Sequence, residues 1–305
     1  MALHGRGGTA AAALLLALAF ATAGCGHGQT PSAPSAPAKT KARGGQVTPI
    51  QPTETDVNHN GIPDNDRSDQ SWPGKMSVVF EDATSPEATE GRAFMQDKNL
   101  LQQMADDINS RLKLPFDITL KGSQCGEPND YWNSGDKTVT MCYEDATHAV
   151  QEFTKLGVPD PQKSAFNTEV EAFYHETGHM VISIYDLPAT GREEDVADQG
   201  STYLMFRRDS QGKIDPESIN AIRDTARLYA ASSTGQVDDS ALADVHSPDR
   251  ARMYNFECWA YGADPSQTAD LVTSGELPQD RADGCEEEYQ QLEKAWSTLL
   301  GPYVK

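Results

Sequence analysis

The segment His175-Glu176-Thr177-Gly178-His179 combines residue types that can bind a metal ion with one that can move a proton. On an α-helix, residues four apart lie on one face, so His175 and His179 can direct two imidazole rings at one cation. Zinc accepts such nitrogen ligands at about 2.0–2.1 Å. Glu176 points to one side of that face, where its carboxylate can deprotonate a metal-activated water. The spacing therefore predicts a helical Zn²⁺ site that activates water.

A catalytic zinc site requires a third protein ligand and one open position. Glu194 and Asp198 follow in the chain, again four apart on a predicted helix. We predict that Glu194 binds the metal and that Asp198 accepts the free ring N–H of a ligand histidine, which sets its tautomer. Glu193 and Asp195 face elsewhere on that helix. A structural zinc ion is usually bound by four protein ligands, often cysteines. A pattern of two histidines and one glutamate therefore favours a catalytic site. The alternative is an ordinary helix with surface histidines and glutamates.

The pattern His-Glu-x-x-His followed by Glu-x-x-Ala-Asp resembles the gluzincin metallopeptidases. The resemblance implies that His175, His179 and Glu194 are the metal ligands. It further implies that Glu176 is the general base and that Asp198 orients a ligand histidine. The expected activity is hydrolysis of peptide bonds, with a peptide or protein as the substrate.

A wider stretch, roughly residues 75–300, also resembles a bacterial family of metallopeptidases. The shared segments are Cys125–Asn129, Cys142–Glu144, His175–His179, Gly191–Asp195 and Arg252–Trp259. The gap between His179 and Glu194 is shorter than in thermolysin-like enzymes. The connecting loop, which contains Pro188 and Gly191, must therefore turn the chain back quickly.

The N-terminus is typical of an exported protein. Arg6 precedes an apolar run from Ala10 to Ala21, and the run is followed by Thr22-Ala23-Gly24-Cys25. Such a run is too short to span a membrane and predicts a secretory signal over residues 1–24. The cysteine after Ala-Gly resembles a bacterial lipoprotein processing site, which implies a membrane anchor through a lipid on Cys25. The alternative is an ordinary secretory signal. Residues 25–55, rich in proline, alanine and serine, are predicted to form a disordered linker.

The four other cysteines are Cys125, Cys142, Cys258 and Cys285. An even number in an exported chain predicts two disulfides. Three pairings are possible, and proximity along the chain favours Cys125–Cys142 and Cys258–Cys285. Each bond is expected to contribute about 3 kcal/mol through loop entropy.

The formal net charge of the chain is -21. Such acidity argues against binding to nucleic acid and against electrostatic attachment to anionic lipids. It suits a soluble exported domain that is tethered by its lipid. The sequence does not determine the oligomeric state.

Residues 56–74 contain a candidate Ca²⁺-binding loop. Oxygen-bearing side chains alternate along it before and after Gly61, and they are Asp56, Asn58, Asn60, Asp64 and Asp66. The pattern resembles one thrombospondin type-three calcium repeat. It does not fit an EF-hand, because position twelve is Arg67. The alternative is a polar turn segment without a bound ion.

Residues 75–305 are predicted to form one domain of the α+β class, with a small N-terminal sheet followed by a mainly helical, zincin-like half. Strands are expected at Met76–Phe80, around Phe116–Leu120 and at Val139–Met141, the last two half-buried; a long turn is expected between Cys125 and Lys137. Helices are expected over roughly 87–112 and 144–156, from Pro161 to before Pro188, over Glu194–Arg207, after Pro216, over 248–261 and around Trp296. In the zincin plan, a sheet edge beside the metal-binding helix can hold an extended peptide.

Hydrolysis also needs a donor that stabilises the transition state. The candidates are His246 and Tyr254, which lie in the segment that the resemblance covers, together with Arg252. We therefore predict a zinc-dependent peptidase. The alternative is a catalytically inactive, metal-containing binding lipoprotein of the cell surface. A calcium-dependent adhesion module has support only from residues 56–66.

Overall fold

The computed structural model describes residues 72–233 and 237–305. The predicted signal peptide, Cys25, the linker and the calcium-loop residues Asp56 to Asp66 lie outside these ranges. Their assignments therefore stay predictions.

The N-terminal half contains a four-stranded sheet with the order β1-β2-β4-β3. The strands are β1 Met76–Phe80, β2 Ile118–Ser123, β3 Asp130–Asn133 and β4 Thr138–Cys142. β1, β2 and β4 are parallel, and β3 pairs antiparallel with β4 at the edge of the sheet. The predicted strands at β1, β2 and β4 are confirmed, but β4 is buried along its whole length rather than half-buried, because elements cover both of its faces.

The prediction of one long turn between Cys125 and Lys137 was wrong, because this segment contains β3. Its sequence has turn residues at both ends and only four strand residues between them. The strand forms through pairing with β4, where Trp132 lies opposite Val139. Such pairing is a long-range contact that the local pattern does not reveal.

The prediction of one helix over 87–112 was also wrong. Two helices occupy this stretch, α1 Pro86–Asp97 and α2 Leu100–Arg111. Asn99 separates them with a left-handed backbone, φ 51°, a conformation that asparagine adopts more readily than most residues. The apolar spacing continues across the break, so the periodicity alone suggests a single helix.

The last two of the next three helices carry the predicted metal ligands. The three helices are α3 Tyr143–Lys155, α4 Pro161–Tyr185 and α5 Glu193–Met205. The side chain of Asp160 caps α4 by accepting from the Lys163 N–H, and Pro161 occupies the first turn. Asp186 ends the helix in a left-handed conformation, φ 53°. Most of α4 is buried, and it packs against β3, β4 and the helices that follow.

The C-terminal half is helical, as predicted. It contains α6 Pro216–Ser232, α7 Asp239–Ala243, α8 Asp249–Ala263, α9 Pro265–Ser274, α10 Gln279–Ala282, α11 Cys285–Leu300 and a closing 3-10 turn, Gly301–Tyr303. Within the described ranges, no helix is both long and apolar enough to cross a membrane.

Both predicted disulfides form. Cys125 and Cys142 lie with their Cα atoms 5.6 Å apart, and Cys258 and Cys285 lie 5.1 Å apart. The first bond joins the chain after β2 to the end of β4, and the second joins α8 to α11. Two disulfides are typical of a protein from an oxidising, extracytoplasmic compartment.

Candidate metal centre

Three donor atoms from α4 and α5 converge at one point. The Nε2 atoms of His175 and His179 lie 3.2 Å apart. Oε2 of Glu194, in the first turn of α5, lies 3.2 Å from the first nitrogen and 3.1 Å from the second. Ligands bound tetrahedrally to zinc at 2.0–2.1 Å are separated by about 3.3 Å. The triangle therefore matches three corners of a tetrahedral zinc site and leaves the fourth corner to another ligand.

Buried charges orient the ring of His175. Its Nδ1 lies 2.8 Å from Asp198 Oδ1, so this nitrogen donates to the carboxylate and Nε2 faces the other donors. Arg252 donates to both oxygens of Asp198, at 2.8 and 2.6 Å. Burial disfavours the charge on Asp198, but Arg252 and His175 outweigh it and lower its pKa. The guanidinium also lies 4.3 Å from the ring of Tyr229.

His179 has its own carboxylate partner. Its Nδ1 lies 2.9 Å from Oε1 of Glu193, the residue that the helical spacing assigned to a different face. Glu193 is the first residue of α5, and its side chain reaches back to α4 from there. Both imidazoles therefore have Nδ1 held by a carboxylate and Nε2 directed at Glu194. No sequence signal separates Glu193 from Asp195, because both lie in the acidic first turn of α5.

Proton binding competes with metal binding at this centre. Burial alone would lower the pKa of His175, but hydrogen bonds to Asp198 and Glu194 raise it to about 10. Hydrogen bonds from three imidazoles, beginning with His175, hold the pKa of Glu194 far below its usual range. A metal ion that binds these atoms must displace a proton from the histidines.

Glu176 lies beside the triangle without belonging to it. Its Oε2 accepts the backbone N–H of Trp132 in β3 at 2.7 Å. Its side chain is buried, and burial raises its pKa even though His175 and His179 lower it. The contact with Trp132 was not predicted, because β3 itself was not.

A cleft of about 590 Å³ opens onto these groups. Glu176, His179 and Glu194 line it together with β3 residues and Val245. His246 also borders the cleft, with Nε2 3.1 Å from Oε2 of Glu194.

The structure places the three candidate donors differently. Arg252 donates to Asp198 and does not line the cleft. His246 is held at the cleft by Arg192, whose Nη1 donates to its carbonyl at 3.0 Å. Tyr254 instead accepts from Arg250 at 3.2 Å and lines another cavity with Glu257. The cleft therefore brings together His246 and Glu176 but not Tyr254.

Comparison with known families agrees with this geometry. The model of the family described as "Putative metallopeptidase" matches residues 80–300. This match covers most of the chain, and the chain therefore belongs to that family. No curated protein and no solved structure matches the chain.

Proposed function

We propose that this member of the metallopeptidase family is a zinc-dependent peptidase that uses Glu176 as its general base. His175, His179 and Glu194 would hold the metal. The observation that carries the proposal is the triangle of two imidazole nitrogens and one carboxylate oxygen, with sides of 3.1–3.2 Å, at a cleft that Glu176 lines. Two nitrogens and one oxygen in tetrahedral geometry favour zinc over calcium or magnesium.

The side chains around the triangle have separate tasks in peptide hydrolysis. When bound, zinc would polarise the scissile carbonyl and lower the pKa of water to about 7. A carboxylate oxygen of Glu176 accepts the proton of the attacking water and passes it to the departing amine nitrogen. The Trp132 N–H donates to Oε2 of Glu176 at 2.7 Å and thereby fixes the orientation of this carboxylate.

The edge strand β3 is suited to hold an extended peptide. In an antiparallel pair, a residue either bonds its partner with both its N–H and its C=O or with neither. Since the Trp132 N–H donates to Glu176, both of its backbone groups point away from β4. Its carbonyl can accept an N–H from a substrate strand added at this edge.

Apolar side chains at the cleft indicate a preference for apolar substrate residues. Tyr131 and Val245 line it and are 39% and 65% exposed, which is high for large apolar groups. Burying them against a substrate side chain would favour binding by about 25 cal/mol per Å² of apolar surface.

His246 is the proposed donor to the negative charge that develops on the carbonyl oxygen. Its Nδ1 lies 3.1 Å from Asp244 and its Nε2 3.1 Å from Glu194. The hydrogen bond to Glu194, followed by the other contacts, raises its pKa. With Glu194 Oε2 bound to a metal, the Nε2–H of His246 would be available to an oxyanion at the cleft. Tyr254 has no comparable position, and the proposal gives it no role.

The proposal includes export and a lipid anchor on Cys25. The signal pattern over residues 1–24 and the two disulfides support it. Such an enzyme would act on peptides outside the cytoplasm.

The test compares wild type with Glu176→Gln and His179→Ala in zinc content and in digestion of a peptide library. We expect about one zinc per chain in wild type and in Glu176→Gln, and none in His179→Ala. Hydrolysis should fall about 10²- to 10⁴-fold in Glu176→Gln, because only the base is lost. Full activity in that variant, or a wild type without zinc, would contradict the proposal. A zinc-loaded wild type that cleaves nothing would instead support the binding lipoprotein.

A further inference from the structure

A second group of carboxylates borders the same cleft through Asp130, and none of its members belongs to the histidine triangle. Asp130 belongs to β3, Asp145 to the first turn of α3 and Glu169 to α4. One oxygen from each lies within 4.8 Å of the others. Three elements that are separate in sequence therefore present acidic groups to one point.

Three of the six carboxylate oxygens in this group receive no hydrogen bond from a donor group. Glu169 is fully buried, and both of its carboxylate oxygens are among the three, as is Oδ2 of Asp130. Oδ1 of Asp130 accepts the Cys142 N–H at 2.7 Å, and the Glu169 carboxyl lies within hydrogen-bond reach of Asp145. Buried polar atoms normally have partners, so three open oxygens at one point require a ligand or a proton.

Basic side chains do not neutralise the group. Within residues 72–233 and 237–305, no lysine or arginine forms an ion pair with Asp130, Asp145 or Glu169. The imidazoles of His175 and His148 interact electrostatically with Asp130 and Asp145, respectively. Burial, and then the neighbouring carboxylates, raise the pKa of Glu169 well above its usual range. Three such groups stay together only if they share protons or bind a cation.

We infer that Asp130, Asp145 and Glu169 form a calcium-binding site. The donor set consists only of oxygens, which suits a hard cation and not zinc. Two oxygens bound to one Ca²⁺ at about 2.4 Å are at most about 4.8 Å apart, and no pair of these three oxygens exceeds that limit. Water and backbone carbonyls commonly complete the six to eight oxygens that calcium takes.

A cation at this site would join β3, the edge strand proposed to hold the substrate, to α4, the helix that carries Glu176. Trp132 lies two residues after Asp130 on β3 and donates to Glu176. Glu169 precedes Glu176 by two helical turns, about 10 Å along α4. A cation shared by β3 and α4 would hold the Trp132 N–H against the Glu176 carboxylate. This positioning role rests on the proposed peptidase function, whereas calcium binding does not.

The experiment titrates calcium chloride into the zinc-loaded full chain and measures binding by calorimetry and thermal unfolding. We expect calcium to raise the unfolding temperature of the wild type. Glu169→Gln and Asp130→Asn should bind calcium about tenfold more weakly or worse, because each removes one ligand charge. Asp64→Asn, in the other candidate calcium segment, is the matched control and should keep the rise.

The outcomes separate the possibilities. Glu169→Gln keeps the side-chain shape and removes a repelling charge, so in calcium-free buffer it should be at least as stable as the wild type. A wild type that does not respond to calcium overturns the site and leaves shared protons as the explanation. The site is also overturned if calcium still raises the unfolding temperature of both Glu169→Gln and Asp130→Asn, or if it no longer raises that of Asp64→Asn.

Peptidase activity is measured separately, with and without calcium. Calcium binding in a chain without peptidase activity would overturn the proposed function and leave the calcium site intact. Calcium binding that leaves the activity of an active peptidase unchanged would overturn the positioning role alone.

Discussion

At the level of single residues, His175 depends on a buried chain of charges. Asp198 is 2% exposed and bridges His175 Nδ1 to Arg252. A carboxylate that accepts from an imidazole raises the ring's affinity for a metal and sets its tautomer. The same carboxylate would be costly to bury without a cation beside it. Arg252 therefore acts on the candidate metal centre through Asp198 without touching the triangle.

We expect Arg252→Lys to weaken zinc binding about 10- to 100-fold. A lysine provides a single point charge and cannot donate to both oxygens of Asp198. Competition with a chromogenic zinc chelator measures the affinity. Arg250→Lys is the matched control, because Arg250 lies on the same helix and bonds Tyr254, away from the triangle. Equal affinities in the two variants would contradict a positioning role for Arg252.

At the level of elements, the candidate centre depends on the close approach of α4 and α5. Gly178 lies inside the motif, and a Cβ atom there would stand 3.0 Å from both the Cα and the carbonyl oxygen of Ala197. Ala197 follows Glu194 by nearly one helical turn. The absence of a side chain at Gly178 therefore lets α5 bring Glu194 to the histidines.

We expect Gly178→Ala to lower the free energy of unfolding by about 1–3 kcal/mol through overpacking and to weaken zinc binding. These losses should appear even though alanine is the better helix former. Urea unfolding and zinc competition measure the two effects. Gly191→Ala is the control, since a Cβ there meets no heavy atom within 4 Å. If the two variants behave alike, helix contact does not set the position of Glu194.

At the level of the whole molecule, the two disulfides stabilise different regions of the fold. The Cys125–Cys142 bond closes the loop that contains β3, and Trp132 on that strand reaches Glu176. The Cys258–Cys285 bond joins two C-terminal helices that do not line the cleft. Their contributions to stability should be similar, but their effects on the site should differ.

We expect the double variants Cys125→Ala/Cys142→Ala and Cys258→Ala/Cys285→Ala each to lose about 3 kcal/mol of unfolding free energy. The first should lower peptidase activity more than the second, because it frees the loop that carries β3, whereas Arg252 on α8 stays bound to Asp198. Denaturant unfolding and kcat/KM, measured where both variants remain folded, provide the comparison. Similar losses of activity in both would show that general stability, and not the position of β3, controls the site.

The features of the fold and site that have a local physical cause could be predicted from the amino-acid sequence. The helical repeat places His175 and His179 on one face, and the same repeat relates Glu194 to Asp198. Short separations along the chain favoured the disulfide pairs that form. The succession of a small sheet and then helices also followed from hydrophobic periodicity.

Contacts between distant segments could not be read in this way. The break at Asn99, the strand β3, the Trp132–Glu176 hydrogen bond and the approach of His246 to Glu194 all depend on how elements pack. Periodicity reports which residues share a face of one element, because backbone hydrogen bonds repeat locally. Periodicity does not indicate how far apart two elements lie. Burial and charge pairing across the folded chain set those distances.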